Sequence, residues 1–189
     1  MRVFATVMVV VLGALSLTMT QSLADSSFTL RSPAFEPNGT IPHQFSYRGH
    51  DCDGANESPP LRWKGAPRST RSFALTVFDP DARGEGWWHW IVFDLPPATA
   101  SLPTNAGSAG EQSLPRPALS GMTSFHSVGY GGPCPPDGDA PHHYIFTLYA
   151  LDTAVLRGAN NRTEGPDLLR MLEGHVLAKA VLIGRFGRP

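Results

Sequence analysis

The chain has 189 residues, and 19 glycines and 18 prolines make up about a fifth of it. This composition excludes a helical bundle or a coiled coil and favours short strands joined by many turns. Fifteen Lys and Arg against 16 Asp and Glu give a formal net charge of −1, so no basic stripe is available for nucleic acid. The hydrophobic fraction of 41% can bury the core of one domain.

The N-terminus has the pattern of a secretory signal peptide. Met1 and Arg2 are followed by an apolar run over residues 3–17, and small residues precede a cleavage site after Ala24. The run is shorter than the roughly 20 apolar residues that a membrane span needs. We therefore predict a signal peptide at 1–24 and a single exported domain at 25–189, periplasmic or secreted; the alternative is an uncleaved anchor. No later segment is long and apolar enough to span a bilayer.

The exported domain is predicted to be mainly β. Runs of alternating or continuous apolar residues, rich in aromatic and β-branched types, predict strands. These strands lie at 28–30, 61–63, 72–78, 88–95, 143–151 and 179–186, and a further extended segment lies at 43–47. Glycine and proline make residues 51–60 a loop and residues 98–141 a long irregular segment. Long loops in compact domains usually carry function.

One long helix is predicted near the C-terminus. Pro166 and Asp167 suit a first helical turn. The apolar residues that follow recur at helical spacing: Leu168, Leu169, Met171, Leu172, Val176 and Leu177.

Candidate site residues gather at the predicted strand ends. Asp79 and Asp81 flank Pro80 directly after the 72–78 strand, so both carboxylates could face one point outside the sheet. The alternative is an Asx-turn in which the carboxylates accept nearby backbone N–H groups.

Residues 87–90 read Trp-Trp-His-Trp and begin a strand. Strand alternation places Trp88 and Trp90 on the face opposite His89. His89 is then either a hydrogen-bonded core histidine or a ligand-facing imidazole walled by aromatic side chains.

A glycine- and proline-rich segment at 131–136 precedes a further candidate pair. Its glycines allow backbone N–H groups to approach a ligand closely. His142 and Tyr144 share one strand face, and His143 points away. Together with His89, the Tyr144 hydroxyl and N–H groups near Gly132, these residues predict an anion pocket.

In this pocket the Asp79 carboxylate would contact an imidazole on the side away from the ligand, and so orient the ring or favour its protonated form. Alternatively, it would accept a hydrogen bond from a protonated headgroup. Arg83 is the one cationic side chain that the sequence places near the pocket.

The order of these motifs resembles the phosphatidylethanolamine-binding protein family, also called Raf kinase inhibitor proteins, and its bacterial branch in particular. The motifs are D-P-D-A at 79–82, W-H-W at 88–90, G-P-C-P-P at 132–136 and H-x-Y at 142–144. The resemblance covers about residues 28–186. It implies an antiparallel β-sheet sandwich with a small cavity for phosphate, acetate or the phosphoryl group of a phospholipid headgroup or phosphorylated partner.

Carried over by motif, the residues that match cavity positions are Asp79, His89, His142 and Tyr144, with Asp81 as second acid and Gly132 and Pro136 in the wall. His143 departs from the arginine that many relatives have, which removes a fixed positive charge from the mouth.

We therefore expect a non-enzymatic binding protein without metal or cofactor, whose ligand is a phosphate-type anion or phospholipid headgroup. One alternative is an inhibitor of a protease or host factor that contacts a protein partner through Trp87, Trp88, Trp90 and the 98–141 segment. The other is a metal-dependent hydrolase. Cys52 and Cys134 either pair, as an oxidising compartment permits, or remain two free thiols.

Overall fold

A computed structural model of the chain describes residues 27–108 and 113–188, so the predicted signal peptide at 1–24 lies outside the described residues. Within those ranges the chain forms ten strands, one α-helix and a 3₁₀ turn at His43–Phe45. The strands are β1 Thr29–Arg31, β2 Arg48–Gly49, β3 Cys52–Asp53, β4 Leu61–Lys64, β5 Ser72–Asp79, β6 Trp87–Leu95, β7 Ser101–Leu102, β8 Leu119–Ser120, β9 His142–Leu151 and β10 Val176–Phe186. The helix is α1 Gly165–Leu172.

The strands form antiparallel sheets. A five-stranded sheet has the order β10-β9-β5-β6-β8, a three-stranded sheet has the order β1-β4-β7, and β2 pairs with β3. In the large sheet β5 lies between β6 and β9 and runs antiparallel to both. The end of β5 therefore lies beside the beginnings of β6 and β9, which is where the sequence placed its candidate residues.

Buried apolar side chains cover both faces of the large sheet. On one face they meet the three-stranded sheet, and this cluster includes Leu30, Trp63, Leu75, Phe146 and Leu148. On the other face a smaller cluster packs against Leu168 and Leu172 of α1. The predicted mainly β sandwich with one helix is confirmed. So is the alternation along β9, which points its even-numbered residues from 144 to 150 into the larger cluster.

The helix is shorter than predicted. It ends at Leu172, and Gly174 adopts a φ of 79° that an α-helix does not allow. Val176 and Leu177, predicted as helical, instead begin β10, which starts three residues before the predicted strand at 179. Val176 and Leu177 fit the helical spacing of apolar residues only by coincidence, because they are apolar residues of the strand that follows Gly174.

Residues 51–60, predicted as loop, contain the two-residue strand β3, because Cys52 and Asp53 pair with β2. Two other segments also differ from the sequence prediction. The residues expected to be extended at 43–47 begin with a 3₁₀ turn, because the Phe45 and Ser46 N–H groups donate to the carbonyls of Pro42 and His43 at 3.0 and 2.9 Å. The described part of residues 98–141 is irregular, as predicted, except for the two-residue strands β7 and β8. Both segments are shaped by backbone hydrogen bonds, either between neighbouring residues or between residues far apart in the sequence. Side-chain periodicity does not predict such bonds.

Candidate binding site at one end of the main sheet

A cavity of about 330 Å³ opens where the end of β5 meets the beginnings of β6 and β9. Five of the seven predicted site residues line it: Asp79, His89, Pro136, His142 and Tyr144. The remaining lining comes from His50, Ala82, Arg83, Trp87, Phe125, Cys134, Pro135 and Asp139. Side chains about sixty-five positions apart in the chain thus meet in one hollow, as the strand order requires.

Asp79 is buried and both of its carboxylate oxygens are engaged. Oδ1 accepts the backbone N–H groups of Asp81 and Ala82 at 2.9 and 3.2 Å, which is the Asx-turn that the sequence allowed. Oδ2 accepts Nδ1–H of His142 at 2.8 Å. Asp79 therefore caps the turn through Oδ1 and orients a cavity imidazole through Oδ2. The two carboxylates do not face one point, because that of Asp81 binds His143 instead.

His142 is fixed by that contact. Because Nδ1 donates to Asp79, Nε2 is the ring nitrogen left for the cavity, and it lies 3.9 Å from the Asp139 carboxylate at the opening. His142 and Tyr144 line the cavity and His143 does not, which agrees with the predicted period of two along β9.

His89 reaches the cavity through a β-bulge. Val77 pairs with Trp90 and Phe78 pairs with Trp88, so His89 is an extra residue between two consecutive partners. The bulge breaks the alternation that the sequence predicted. Trp88 packs on the helix side of the sheet, whereas Trp90 lies in the larger core cluster and is 0% exposed, so the predicted shared face of Trp88 and Trp90 is wrong. Trp90 therefore cannot belong to a contact surface, whereas Trp87 is 36% exposed.

The tautomer of His89 follows from its partner. Nδ1 lies 2.7 Å from the carbonyl oxygen of Gly131, which can only accept, so Nδ1 carries the hydrogen. Burial lowers the pKa of His89 to about 4, because desolvation of the imidazolium outweighs the favourable hydrogen bond to Gly131. At neutral pH the ring is uncharged and Nε2 is a hydrogen-bond acceptor, not the donor that an anion pocket was expected to use.

Tyr144 supplies the unsatisfied donor of the site. The residue is 1% exposed, its ring meets the His89 ring edge-on at 5.0 Å between centroids, and its hydroxyl has no hydrogen-bond partner among the described residues. Burial raises the pKa of Tyr144, and the nearby Asp79 carboxylate raises it further through its charge and through hydrogen-bond attraction, so the hydroxyl stays protonated. The contact between this hydroxyl and Asp79 falls outside ordinary hydrogen-bond geometry. A buried hydroxyl without a partner costs free energy that a bound acceptor would recover.

Two predicted residues lie outside the cavity lining. Asp81 turns away, and its Oδ2 accepts the backbone N–H and the ring Nδ1–H of His143 at 2.7 and 2.8 Å. Partial burial opposes the effect, but these hydrogen bonds lower the pKa of Asp81. His143 thus pairs with an acid beside the cavity and adds no charge to its interior.

Gly132 serves packing. Its N–H donates to Asn56 Oδ1 at 2.8 Å, and a Cβ built at this position would lie 2.2 Å from the carbonyl oxygen of Phe45. The glycine is needed because another chain segment passes against it, and its N–H group is not available to a ligand as predicted.

Cys52 and Cys134 form a disulfide with their Cα atoms 6.0 Å apart, which decides between the two alternatives. Since Cys134 lines the cavity beside Pro135 and Pro136, the disulfide fastens this wall to β3.

Sequence reasoning missed three lining residues, His50, Phe125 and Asp139. Phe125 lies in the irregular segment, stacks on Tyr47 at 4.4 Å and meets His89 at 5.4 Å between ring centroids, so it closes one side of the cavity. An isolated phenylalanine among serine, threonine and glycine was the one signal of this role. Asp139 had no signal, because acids in such loops are usually solvated.

Within residues 27–108 and 113–188, no group of three or more His, Cys, Asp and Glu side chains could hold a metal ion. In the same part of the chain, no helix has the length and apolarity to cross a membrane.

Comparison with known proteins places these features in context. The family model described as phosphatidylethanolamine-binding protein matches residues 31–187. The UPF0098 protein YbcL of Escherichia coli (strain K12) is 40% identical over 168 residues, covering 84% of this chain and 90% of that protein. A crystal structure of E. coli YbcL, described as a new member of the mammalian PEBP family, has a TM-score of 0.83 and 36% identity. That match covers 86% of this chain and 99% of the other.

Two further relatives come from other organisms. A UPF0098 protein of Methanothermobacter thermautotrophicus is 42% identical over 159 residues, covering 84% of this chain and 98% of that protein. A protein of Mycobacterium tuberculosis named "Putative lipoprotein LppC" is 41% identical over 136 residues, covering 72% of this chain and 61% of that protein.

Proposed function

The chain belongs to the phosphatidylethanolamine-binding protein family, and on that premise we propose that it is an exported, non-enzymatic binding protein for a phosphate-type anion. The anion is either free or the phosphoryl group of a lipid headgroup or phosphorylated ligand. The observation that carries this proposal is the unpartnered hydroxyl of Tyr144, buried at the cavity beside two histidines.

The hydrogen-bonding groups of the cavity suit a small oxyanion. Tyr144 offers an O–H, His142 offers Nε2–H when its ring is protonated, and Arg83 adds a guanidinium at the opening. Asp79 does not repel the anion strongly, because three N–H groups already compensate its charge. With a single cationic side chain that is permanently charged, affinity should be modest.

The lining also favours binding without turnover. Among its described residues, Cys134 is held in a disulfide and the Tyr144 hydroxyl stays protonated. Both carboxylate oxygens of Asp79 accept hydrogen bonds from other residues of the protein. None of these three groups is available as a nucleophile. We expect the purified protein to release no inorganic phosphate from a phosphomonoester; steady release at a rate that tracks the protein concentration would contradict this part of the proposal.

Export is supported by the residues at 1–24 and by the disulfide, since disulfides persist in oxidising compartments. We expect the protein in a periplasmic or secreted fraction with Asp25 as its first residue. An intact N-terminus measured by mass spectrometry in a cytoplasmic fraction would overturn this location.

Calorimetric titration with inorganic phosphate tests the site, using protein purified without phosphate or acetate. His142→Ala should abolish binding, because it removes a cavity donor and leaves Asp79 without its ring partner. His175→Ala is the matched control, since His175 makes the same 2.8 Å Nδ1 contact to an acid, Asp152, on the surface away from the cavity. Equal affinities in the two variants would mean that phosphate does not occupy this cavity.

A further inference from the structure

Arg188 follows β10 and binds two segments of the cavity wall. Its Nε–H donates to the Pro135 carbonyl oxygen at 2.7 Å, and its Nη1–H donates to the Asp51 carbonyl oxygen at 3.0 Å. Pro135 lines the cavity, and so does His50, the residue before Asp51. Arg188 lies outside that lining, so it would act on a ligand through the wall and not by contact.

The disulfide joins the same two segments. The first is the β2–β3 hairpin at 48–53, which contains Cys52, and the second is the proline segment at 131–136, which contains Cys134. Arg188 binds the residue before Cys52 and the residue after Cys134. A guanidinium is planar and holds its donors in a fixed fork, so it sets the separation of the two carbonyl groups. Arg188 is therefore a noncovalent crosslink parallel to the disulfide.

The turn of the hairpin depends on contacts of this kind. His50 and Asp51, the central residues between the paired Gly49 and Cys52, have φ angles of 50° and 65°. This left-handed conformation is uncommon for residues other than glycine, and two-residue turns that use it prefer Asn-Gly or Asp-Gly. The turn therefore relies on the rest of the protein to keep its form, and the hydrogen bond from Arg188 to Asp51 contributes to that.

Few other contacts hold the hairpin against the proline segment. At the base of the hairpin, the Tyr47 N–H donates to the Pro133 carbonyl oxygen at 2.9 Å. Among the described residues, no hydrogen bond joins 48–53 directly to 134–136 apart from contacts of the Cys134 sulfur. The relative positions of His50 and Pro135 thus depend on the disulfide and on Arg188.

We propose that Arg188 is a positioning residue of the cavity, and that it and the disulfide together keep His50 and Pro135 where a bound anion requires them. This role rests on the proposed binding function and adds to it a residue from outside the site. It holds for phosphate, acetate or a lipid headgroup alike, because it concerns the wall and not the ligand. Since the two crosslinks are parallel, each compensates in part for loss of the other.

Calorimetric titration with inorganic phosphate tests this role as a double-mutant cycle. Arg188→Met removes both donors and keeps an unbranched side chain, and Cys52→Ser with Cys134→Ser removes the disulfide. We expect each change alone to weaken phosphate binding by about threefold, and the combined variant to lose at least about threefold more than the product of the two, as coupled neighbours do. Losses that simply multiply would overturn the proposal.

Two single variants separate positioning from charge. Arg185→Met is the matched control, because Arg185 is an exposed cation on β10 whose side chain has no hydrogen bond or ion pair among the described residues; its phosphate affinity should equal that of the wild type. Arg188→Lys keeps the charge, but one nitrogen cannot replace both Nε and Nη1, so phosphate should bind as weakly as it does to Arg188→Met. Wild-type affinity in Arg188→Lys, or an equal loss in Arg185→Met, would mean that charge alone matters and would overturn the proposal.

Hydrogen exchange measured by mass spectrometry decides the matter even if the combined variant does not fold. In Arg188→Met with the disulfide intact, the backbone amides of the hairpin should exchange faster than in the wild type, while those of β5 and β9 should not change. Unchanged exchange in the hairpin would overturn the proposal. So would a lower melting temperature with unchanged phosphate affinity, which is the result expected of a purely structural residue. Failure of wild-type protein to bind phosphate would instead overturn the proposed function, and this role with it.

Discussion

Replacing Tyr144 by phenylalanine should affect ligand binding and the stability of the protein differently. The substitution removes one oxygen atom and keeps the ring that packs against His89. In the free protein this hydroxyl has no partner among the described residues, whereas we propose that bound phosphate accepts its hydrogen. The substitution should therefore weaken phosphate binding without lowering the stability of the free protein.

The magnitudes follow from the energetics of hydrogen bonds. A hydrogen bond to a charged group contributes about 1.5 to 3 kcal/mol, so phosphate should bind roughly 10- to 150-fold more weakly to Tyr144→Phe. Removing an unsatisfied buried hydroxyl should leave the free energy of unfolding unchanged or raise it by about 1 kcal/mol, which for a domain of this size is about 2 to 4 °C in Tm. Calorimetric titration and thermal unfolding measure the two quantities.

Tyr130 provides the matched control. It is also a buried tyrosine in the larger core cluster, but its hydroxyl donates to the Phe45 carbonyl oxygen at 2.9 Å and it does not line the cavity. Tyr130→Phe should lower the free energy of unfolding by about 1 kcal/mol and leave phosphate affinity unchanged. The reasoning is refuted if Tyr144→Phe binds phosphate like the wild type, or if it loses as much stability as Tyr130→Phe.

Three further outcomes are expected. Burial holds the pKa of His89 at about 4, below the value of 6.5 in the unfolded chain. Between these two pH values the unfolded chain binds a proton that the folded protein does not. The free energy of unfolding should therefore be highest above pH 6.5 and fall by about 3 kcal/mol as the pH drops to 4. Denaturant titrations of wild type and His89→Gln check this, since the variant should lack that part of the pH dependence. Replacing both Cys52 and Cys134 by serine should cost about 4 kcal/mol by the chain-entropy model and weaken phosphate binding through the loosened wall, which equilibrium denaturation and calorimetry would show. Gly132→Ala should destabilise by several kcal/mol because its Cβ meets backbone, whereas Gly138→Ala meets open space and should cost only about 1 kcal/mol for its φ of 76°; similar melting temperatures would contradict this.

The local pattern of residue types was enough to predict most of the strands and the strand ends at which the site lies. Alternation over two residues is a property of consecutive side chains, so it places His142 and Tyr144 on one face whatever packs around them. Pro80 likewise marks the end of β5 by its residue type. The same reasoning failed at α1, where Gly174 stops the helix although apolar spacing continues, and at Trp90, where a bulge shifts the alternation by one residue.

The chemistry of the cavity depends on partners far away in the chain. The carbonyl of Gly131 fixes the tautomer of His89, Asn56 takes the N–H of Gly132, and Phe125 closes a wall from an irregular segment. Side-chain order along the sequence identifies which groups can take part, because residue type and strand period are local. Which of those groups donates, accepts or is left without a partner is decided by tertiary contacts, because a hydrogen bond is determined by the atom that packing brings opposite.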